Sequence, residues 1–222
     1  VANITALPQP GGRAPDMTFG AVEFQKQTNV SRETLDKLQL YADLLVKWQK
    51  SINLVSRSSL DDLWHRHFMD SAQIASIIKD CGIQQPICVD MAAGGGFPGL
   101  VLAAMGVGQW TLIESDTRKC VFLNEVVRQC EISATIRNER VERINDLQAD
   151  IVAARAFASL DQLLAYSEPI LKEGGMAVFP KGQRHQTEVM AAKAAWAFDL
   201  TEHDSETGKD SKILVIQKVK RG

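Results

Sequence analysis

The sequence predicts an α/β fold: a mostly parallel, doubly wound sheet finished by an antiparallel hairpin and preceded by a small helical extension. Three observations carry this. From residue 86 onward, short apolar runs alternate with helical patterns, as in a parallel sheet whose crossovers are helices. Early in that alternation, Ile87-Cys88-Val89 leads through Asp90 into Met91-Ala92-Ala93-Gly94-Gly95-Gly96-Phe97-Pro98-Gly99. A glycine-rich turn that opens a helix is how such sheets present backbone to a nucleotide-like ligand at the carboxyl ends of their strands. The last two apolar runs, about 197–203 and 212–219, are joined by the polar stretch His203 to Ser211. That leaves no room for a crossover helix, so the two must run antiparallel.

Taken in order, residues 1 to about 20 hold Pro8, Pro10, Gly11, Gly12 and Pro15 with little periodic apolarity, and read as a flexible tail. Residues 21–84 read as a helical unit. Ser31 is an N-cap candidate, followed by Leu35, Leu38, Tyr41, Leu45 and Trp48 at helical spacing, and a second helical stretch covers about Leu60 to Ile78. In 85–222, strands are expected at Ile87–Met91, Trp110–Glu114, Ala134–Asn138, Asp150–Ala154 and Met176–Pro180. Between and after them, helices are expected at about 97–105, 116–130, 139–147, 159–172 and 183–197. This is the layout of class I methyltransferases, Rossmann-like proteins that bind S-adenosyl-L-methionine.

Composition narrows the function classes. A chain of 222 residues, 45% hydrophobic and 23% charged, suits a soluble globular protein with one substantial core and a smaller appended unit. No apolar run approaches the roughly 20 residues needed to span a bilayer, and no secretory signal is expected. Cys81, Cys88, Cys120 and Cys130 form no C-x-x-C pair. They read as reduced thiols of a cytoplasmic protein rather than a zinc or redox motif. A net charge of -2 excludes a strongly basic nucleic-acid glove but not a local basic patch.

A glycine-rich strand-to-helix turn is shared with NAD enzymes, so the acids around it decide. Asp90 closes the strand before the loop, where an anion would oppose a pyrophosphate yet suit a ligand carrying an ammonium and a sulfonium. Glu114 closes the next strand, a suitable distance on for a carboxylate that grips ribose hydroxyls. After the fourth strand the chain reads Ala153-Ala154-Arg155-Ala156-Phe157. It has neither the Asn/Asp-Pro-Pro-aromatic of adenine amino methyltransferases nor the Pro-Cys nucleophile of 5-methylcytosine enzymes. Arg155 instead puts a cation at the mouth of the site.

Ordered motifs then carry a resemblance. The chain holds Lys47-Trp48-x-x-x-Ile52-Asn53-Leu54, Arg66-His67-x-x-Asp70-Ser71, and Asp90 to Gly99 with its Gly-Phe-Pro-Gly ending. Lys119-x-x-Phe122-Leu123, Arg140-Val141-Glu142, Arg155-Ala156-Phe157-Ala158-Ser159-Leu160 and Lys181-Gly182 follow. From about residue 40 to the C-terminus it resembles the RsmG (GidB) family, bacterial enzymes that methylate N7 of a guanine in 16S ribosomal RNA. The resemblance implies S-adenosyl-L-methionine held by Asp90, Ala92, Gly94, Gly96, Phe97, Glu114, Val141, Glu142 and Arg155. In it Val141 and Glu142 lie beside the adenine, Glu114 at the ribose, and Arg155 at the methionine and target end. His67, Asp70, Arg155 and Lys181 form the target side. One departure stands out. The family pattern resembles Asp-x-Gly-Ser/Thr-Gly-x-Gly-Phe-Pro-Gly, and this chain has Ala92 and Ala93 in its third and fourth places. A glycine there gives close approach or a positive φ, which alanine tolerates poorly. Either the backbone at Ala92 is ordinary or cofactor affinity is reduced, with Gly94, Gly95 and Gly96 supplying freedom further on.

Guanine N7 carries a lone pair and no proton at neutral pH, so methylation there needs alignment rather than a general base. The lack of a Ser-His-Asp, Cys-His or paired-carboxylate constellation agrees with that. His67 and Asp70, at i and i+3 on a helix, can share a face. They read either as a target-side wall or as a local hydrogen bond within the helical unit. His65 and His67 point to different sides of a helix, and His185 and His203 show no ligand spacing, so no metal is expected. Lys47, Lys50, Arg57, Arg66, Arg155, Lys181 and Arg184 are candidates for a basic rim facing 16S rRNA and the small ribosomal subunit. The protein is expected to be a monomer. Two other readings compete. An NAD(P)-dependent oxidoreductase would want a Tyr-Lys relay, but Tyr166 has no lysine four residues on. A non-catalytic RNA-binding factor would have kept the fold and lost the cofactor.

Overall fold

The computed structural model describes residues 19–222, so most of the expected flexible tail lies outside the described residues. Seven strands form one sheet: β1 (Ile87–Met91), β2 (Gln109–Glu114), β3 (Ala134–Asn138), β4 (Ala149–Ala153), β5 (Leu171–Lys181), β6 (Trp196–Asp204) and β7 (Lys212–Arg221). Their order is β3-β2-β1-β4-β5-β7-β6. The first five run parallel, and β7 lies antiparallel to both β5 and β6. The sheet order reverses between β1 and β4, and a ligand crevice opens at such a switch point.

Each element follows from local chemistry. Helix α1 (Ala21–Thr28) precedes α2 (Arg32–Gln49), which starts where Ser31 Oγ accepts from Thr34 N at 3.1 Å, and buries Leu38, Tyr41 and Leu45. The stretch predicted as one helix from about Leu60 is broken into a π-helical segment Trp64–Met69, α3 (Asp70–Ala72) and α4 (Ile74–Asp80). Helices α5 (Gly99–Ala104), α6 (Thr117–Gln129), α7 (Leu160–Ser167) and α8 (His185–Ala192) connect the strands. Asp116 caps α6 by accepting from Arg118 N at 2.8 Å, and Pro169 follows the end of α7 before β5 begins.

One expected element is missing. Instead of a helix over 139–147 there is a single 3-10 turn, Val141–Arg143. Val141 and Ile144 are three apart and both buried, a spacing that one 3-10 turn satisfies. Asn145 and Asp146 then favour a turn over helix propagation.

Two cores flank the sheet. Alternate residues of β1 enter opposite ones, Cys88 facing the α5 side and Val89 and Met91 the α7 side. The first core runs without a break from Tyr41, Leu45 and Phe68 of the N-terminal helices to Leu100 and Phe122 of α5 and α6. The N-terminal helices are thereby fixed against the carboxyl ends of β1 and β4. Among the described residues, no helix is long and apolar enough to cross a membrane.

Candidate functional site

A cleft of about 1260 Å³ opens at the carboxyl ends of the parallel strands. Its floor is the loop after β1. Gly96 has φ +95°, and a Cβ there would stand 2.6 Å from the Tyr41 hydroxyl, so only glycine fits. Tyr41 donates its hydroxyl to Gly95 O and stacks on Phe97 with ring centroids 5.4 Å apart. Burial raises the Tyr41 pKa well above that of an ordinary phenol, so the hydroxyl remains a donor. A residue read only as part of an apolar helix stripe thus clamps the loop, and its place in that stripe gave no hint of the clamp.

Ala92 has φ +54°. The possibility of an ordinary backbone there is therefore overturned: alanine occupies a left-handed position. The strand-to-loop reversal needs that geometry, and the positive-φ glycines Gly94 and Gly96 come too late to relieve Ala92 itself.

The two strand-end acids occupy different places. Glu114 lines the cleft, with Oε2 accepting from Gly94 N at 2.9 Å and Oε1 from Asp116 N at 2.8 Å. Asp90 does not line it. Its side chain is fully buried on the α5 side, where Oδ2 accepts from Gly99 N at 2.8 Å and Oδ1 has no partner. A Cβ on Gly99 would sit 2.8 Å from that Oδ2, so the glycine permits the close approach. Burial is the main reason the Asp90 pKa rises to about 7, and the Gly99 hydrogen bond works against that rise. The carboxyl group braces the loop and α5 from beneath. Ala92, Gly94 and Phe97 line the cleft, whereas Gly96, Val141 and Glu142 lie outside its lining. Val141 is buried, and Glu142 Oε1 accepts from Tyr166 at 3.4 Å.

Three of the four residues expected on the target side, His67, Asp70 and Arg155, converge. Arg155 Nη1 donates to Arg66 O at 2.9 Å and to Asp70 Oδ2 at 3.2 Å, and Nη2 donates to His67 Nδ1. The guanidinium carbon lies 5.1 Å from the centre of the Phe97 ring, a cation–π contact. Because His67 Nδ1 accepts, Nε2 carries the proton and donates to Ser59 Oγ at 2.7 Å. Burial, and then the Arg155 and Arg66 cations, lower the His67 pKa to about 3, so the ring is neutral. Asp70 Oδ1 accepts from Thr207 Oγ1 at 2.6 Å and Gln73 Nε2 at 3.0 Å. His67 and Asp70 make local hydrogen bonds within the helical unit, to Ser59 and Gln73, and also meet Arg155 and the loop between β6 and β7. Thr207 was not legible as a site residue, because it meets Asp70 from 137 positions away; Ser59 and Gln73 lie only 8 and 3 positions from their partners, but no motif marked them.

Lys181 ends β5. Its Nζ donates to Ala158 O and to Glu188 Oε2, both at 2.8 Å. Of the basic rim, Arg66, Arg155, Lys181 and Arg184 line the cleft. Lys47, Lys50 and Arg57 are exposed outside its lining. Lys119 and Lys212 line it as well, beyond the sequence-derived set. Among the described residues, no group of three or more His, Cys, Asp or Glu side chains is placed to hold a metal ion.

The sequence profile described as rRNA small subunit methyltransferase G (GidB) matches residues 34–215. Ribosomal RNA small subunit methyltransferase G of Paramagnetospirillum magneticum is 46% identical over 204 residues, covering 92% of this chain and 98% of that protein. The protein of the same name from Rhodospirillum centenum is 44% identical over 207 residues, covering 93% and 94%. Among solved structures, a mutant of MtNAS in complex with S-adenosylmethionine aligns with a TM-score of 0.56 at 11% identity, over 91% of this chain and 85% of that one. A ribosomal protein L11 methylase from Lactobacillus delbrueckii subsp. bulgaricus aligns with a TM-score of 0.54 at 16% identity, over 66% and 77%. At those identities the structural likeness speaks for the fold alone.

Proposed function

The chain belongs to the rRNA small subunit methyltransferase G family, and from that we infer that it is an S-adenosyl-L-methionine-dependent 16S rRNA (guanine-N7) methyltransferase. The observation that supports a working site, rather than a fold that has lost its chemistry, is the convergence of Arg155, His67, Asp70 and Phe97 on the loop after β1.

The residues present fit the cofactor. The loop wall from Ala92 to Gly95 carries nothing larger than a methyl group, and a Cβ at Gly94 would meet no atom closer than 3.8 Å. Glu114 faces the cleft with each oxygen held by one backbone N–H. Each keeps a lone pair for a ribose hydroxyl. The cleft volume exceeds what one drug-sized ligand needs, roughly 300–1000 Å³, leaving room for a target base beside a bound nucleoside. Ala92, Gly94, Phe97 and Glu114 would hold the cofactor directly. Asp90 and Gly96 would act through the loop, and Val141 and Glu142 would border the adenine end.

When bound, S-adenosyl-L-methionine supplies an electrophilic methyl group on a sulfonium sulfur. Transfer of that methyl group from sulfur to N7 would pass positive charge to the purine and would move no proton. A general base is not required, and the neutral His67, with Nδ1 already engaged, is not set up as one. What the chain must supply is alignment and a dry wall. Arg155 is immobilised by four neighbours, and its charge is offset by Asp70 and the Phe97 ring face. The wall can therefore accept an incoming positive charge without a bare cation opposing it. Phe157, exposed at the cleft, offers a stacking face for an unpaired base. Arg66 and Arg184 are suited to flanking phosphates. A monomer acting in the cytoplasm on the small subunit completes the reading.

Arg155→Ala tests it. The variant should keep its fold, while kcat/KM for methyl transfer to small-subunit RNA should drop by about 100-fold. Unchanged turnover would remove Arg155 from the site. Calorimetry with S-adenosyl-L-methionine separates the enzyme from a non-catalytic binding factor, which would give no binding heat.

A further inference from the structure

We propose that Lys181 and Glu188 form the pair that reads the target guanine, with Lys181 donating to O6 and Glu188 Oε1 accepting from N1–H. This rests on guanine N7 being the acceptor. If N7 faces the methyl donor over β1 and β2, then O6 lies beside N7 on the same edge and N1–H follows it round the ring, toward the part of the cleft bounded by the ends of β4 and β5. A guanine presents there an acceptor, O6, next to a donor, N1–H. Adenine presents the reverse, a donor amine next to an acceptor ring nitrogen. A protein that tells them apart at this edge needs a donor and an acceptor side by side.

Among the described residues, three carboxylates line the cleft: Asp70, Glu114 and Glu188. Asp70 uses one oxygen for Arg155 and the other for Thr207 and Gln73. Glu114 spends both on backbone N–H groups, at the β2 side suited to the ribose. Glu188 differs. Its Oε2 accepts from Lys181 Nζ at 2.8 Å and Leu160 N at 3.0 Å, while Oε1 has no hydrogen-bond partner among the described residues. The ammonium of Lys181 has three N–H groups, of which two go to Ala158 O and Glu188 Oε2. One donor and one acceptor therefore remain, adjacent and held in place. The Lys181 side chain is only 10% exposed, so it makes a poor general phosphate tether but a well-fixed reader. A site whose polar groups are left unpaired by the wrong base discriminates strongly.

The experiment uses the full chain, S-adenosyl-L-methionine and small-subunit RNA carrying guanine, adenine or 1-methylguanine at the methylated position. The wild type should turn over guanine and reject the other two, since 1-methylguanine retains N7 and O6 but has lost N1–H. Glu188→Gln keeps an oxygen for Lys181 and Leu160 but turns the free acceptor into a donor. Its guanine-to-adenine ratio of kcat/KM should fall by about 10- to 100-fold, with cofactor affinity retained. An unchanged ratio in the variant, or wild-type turnover of 1-methylguanine equal to that of guanine, would overturn the pair. The second arm needs no variant, so a failure of Glu188→Gln to fold does not block the test. If the wild type makes no 7-methylguanine at all, it is the guanine-N7 reading that fails.

Discussion

Ala92 holds a left-handed backbone, φ +54°, at the place where the family pattern has glycine. An L-residue there costs about 1–2 kcal/mol. Ala92→Gly removes that strain but loosens the unfolded chain, so a net gain of about 1 kcal/mol is expected. For a chain of this size that gain corresponds to about 2–4 °C in Tm, and thermal melting would read it. A lower Tm would show that the methyl group packs usefully enough to outweigh the strain. His67 supplies the pH dependence. Its folded pKa of about 3 lies below the ordinary 6.5, so the unfolded chain binds the proton more readily between those values. The contribution of His67 is thus present above about pH 6.5 and lost as pH falls toward 3. His67→Gln should flatten the decline of unfolding free energy across that window in urea melts, and an identical slope would place the acid sensitivity elsewhere. At this scale the sequence singled out Asp90, Glu114 and Arg155, and the last two line the cleft. It could not show that Asp90 points under the loop, because a strand's two faces are assigned only once the helices are packed.

The elements that form the site were legible where periodicity is strong and obscure where contacts are long-range. The alternation from β1 to β5, the glycine turn and the closing hairpin were readable, since each rests on local chemistry. The helix expected over 139–147 was not formed, because a spacing of three apolar positions fits one 3-10 turn as well as a helix. The clasp between α3 and the loop joining β6 to β7 left no trace in the chain. Thr207 meets Asp70 from 137 positions away, and Glu206 N donates to Gln73 Oε1 at 2.8 Å from 133 away. Thr207→Val deletes one of these bonds while Gln73 still serves Asp70, so a loss of about 1 kcal/mol is expected. Amide exchange should speed up in the 205–208 segment. Exchange no faster than in the wild type would mean the loop is held by the hairpin strands alone.

For the whole molecule, one continuous core joins the N-terminal helices to one face of the sheet, and this places His67 and Asp70 opposite Arg155. On the proposed reading, such an arrangement would act by holding two partners in line, a step that calls on alignment rather than on a nucleophile or base of the chain's own. In the sequence it was the family's ordered motifs, rather than any catalytic triad, that pointed to the chemistry. The account stands or falls on where the methyl group goes. Small ribosomal subunits lacking the modification should be incubated with the chain and S-adenosyl-L-methionine, and the 16S rRNA digested and mapped by mass spectrometry. The expected result is a methyl group on N7 of a single guanine, absent when Arg155→Ala replaces the wild type. A methyl group on another atom, or no transfer by a chain that binds the cofactor, would contradict it.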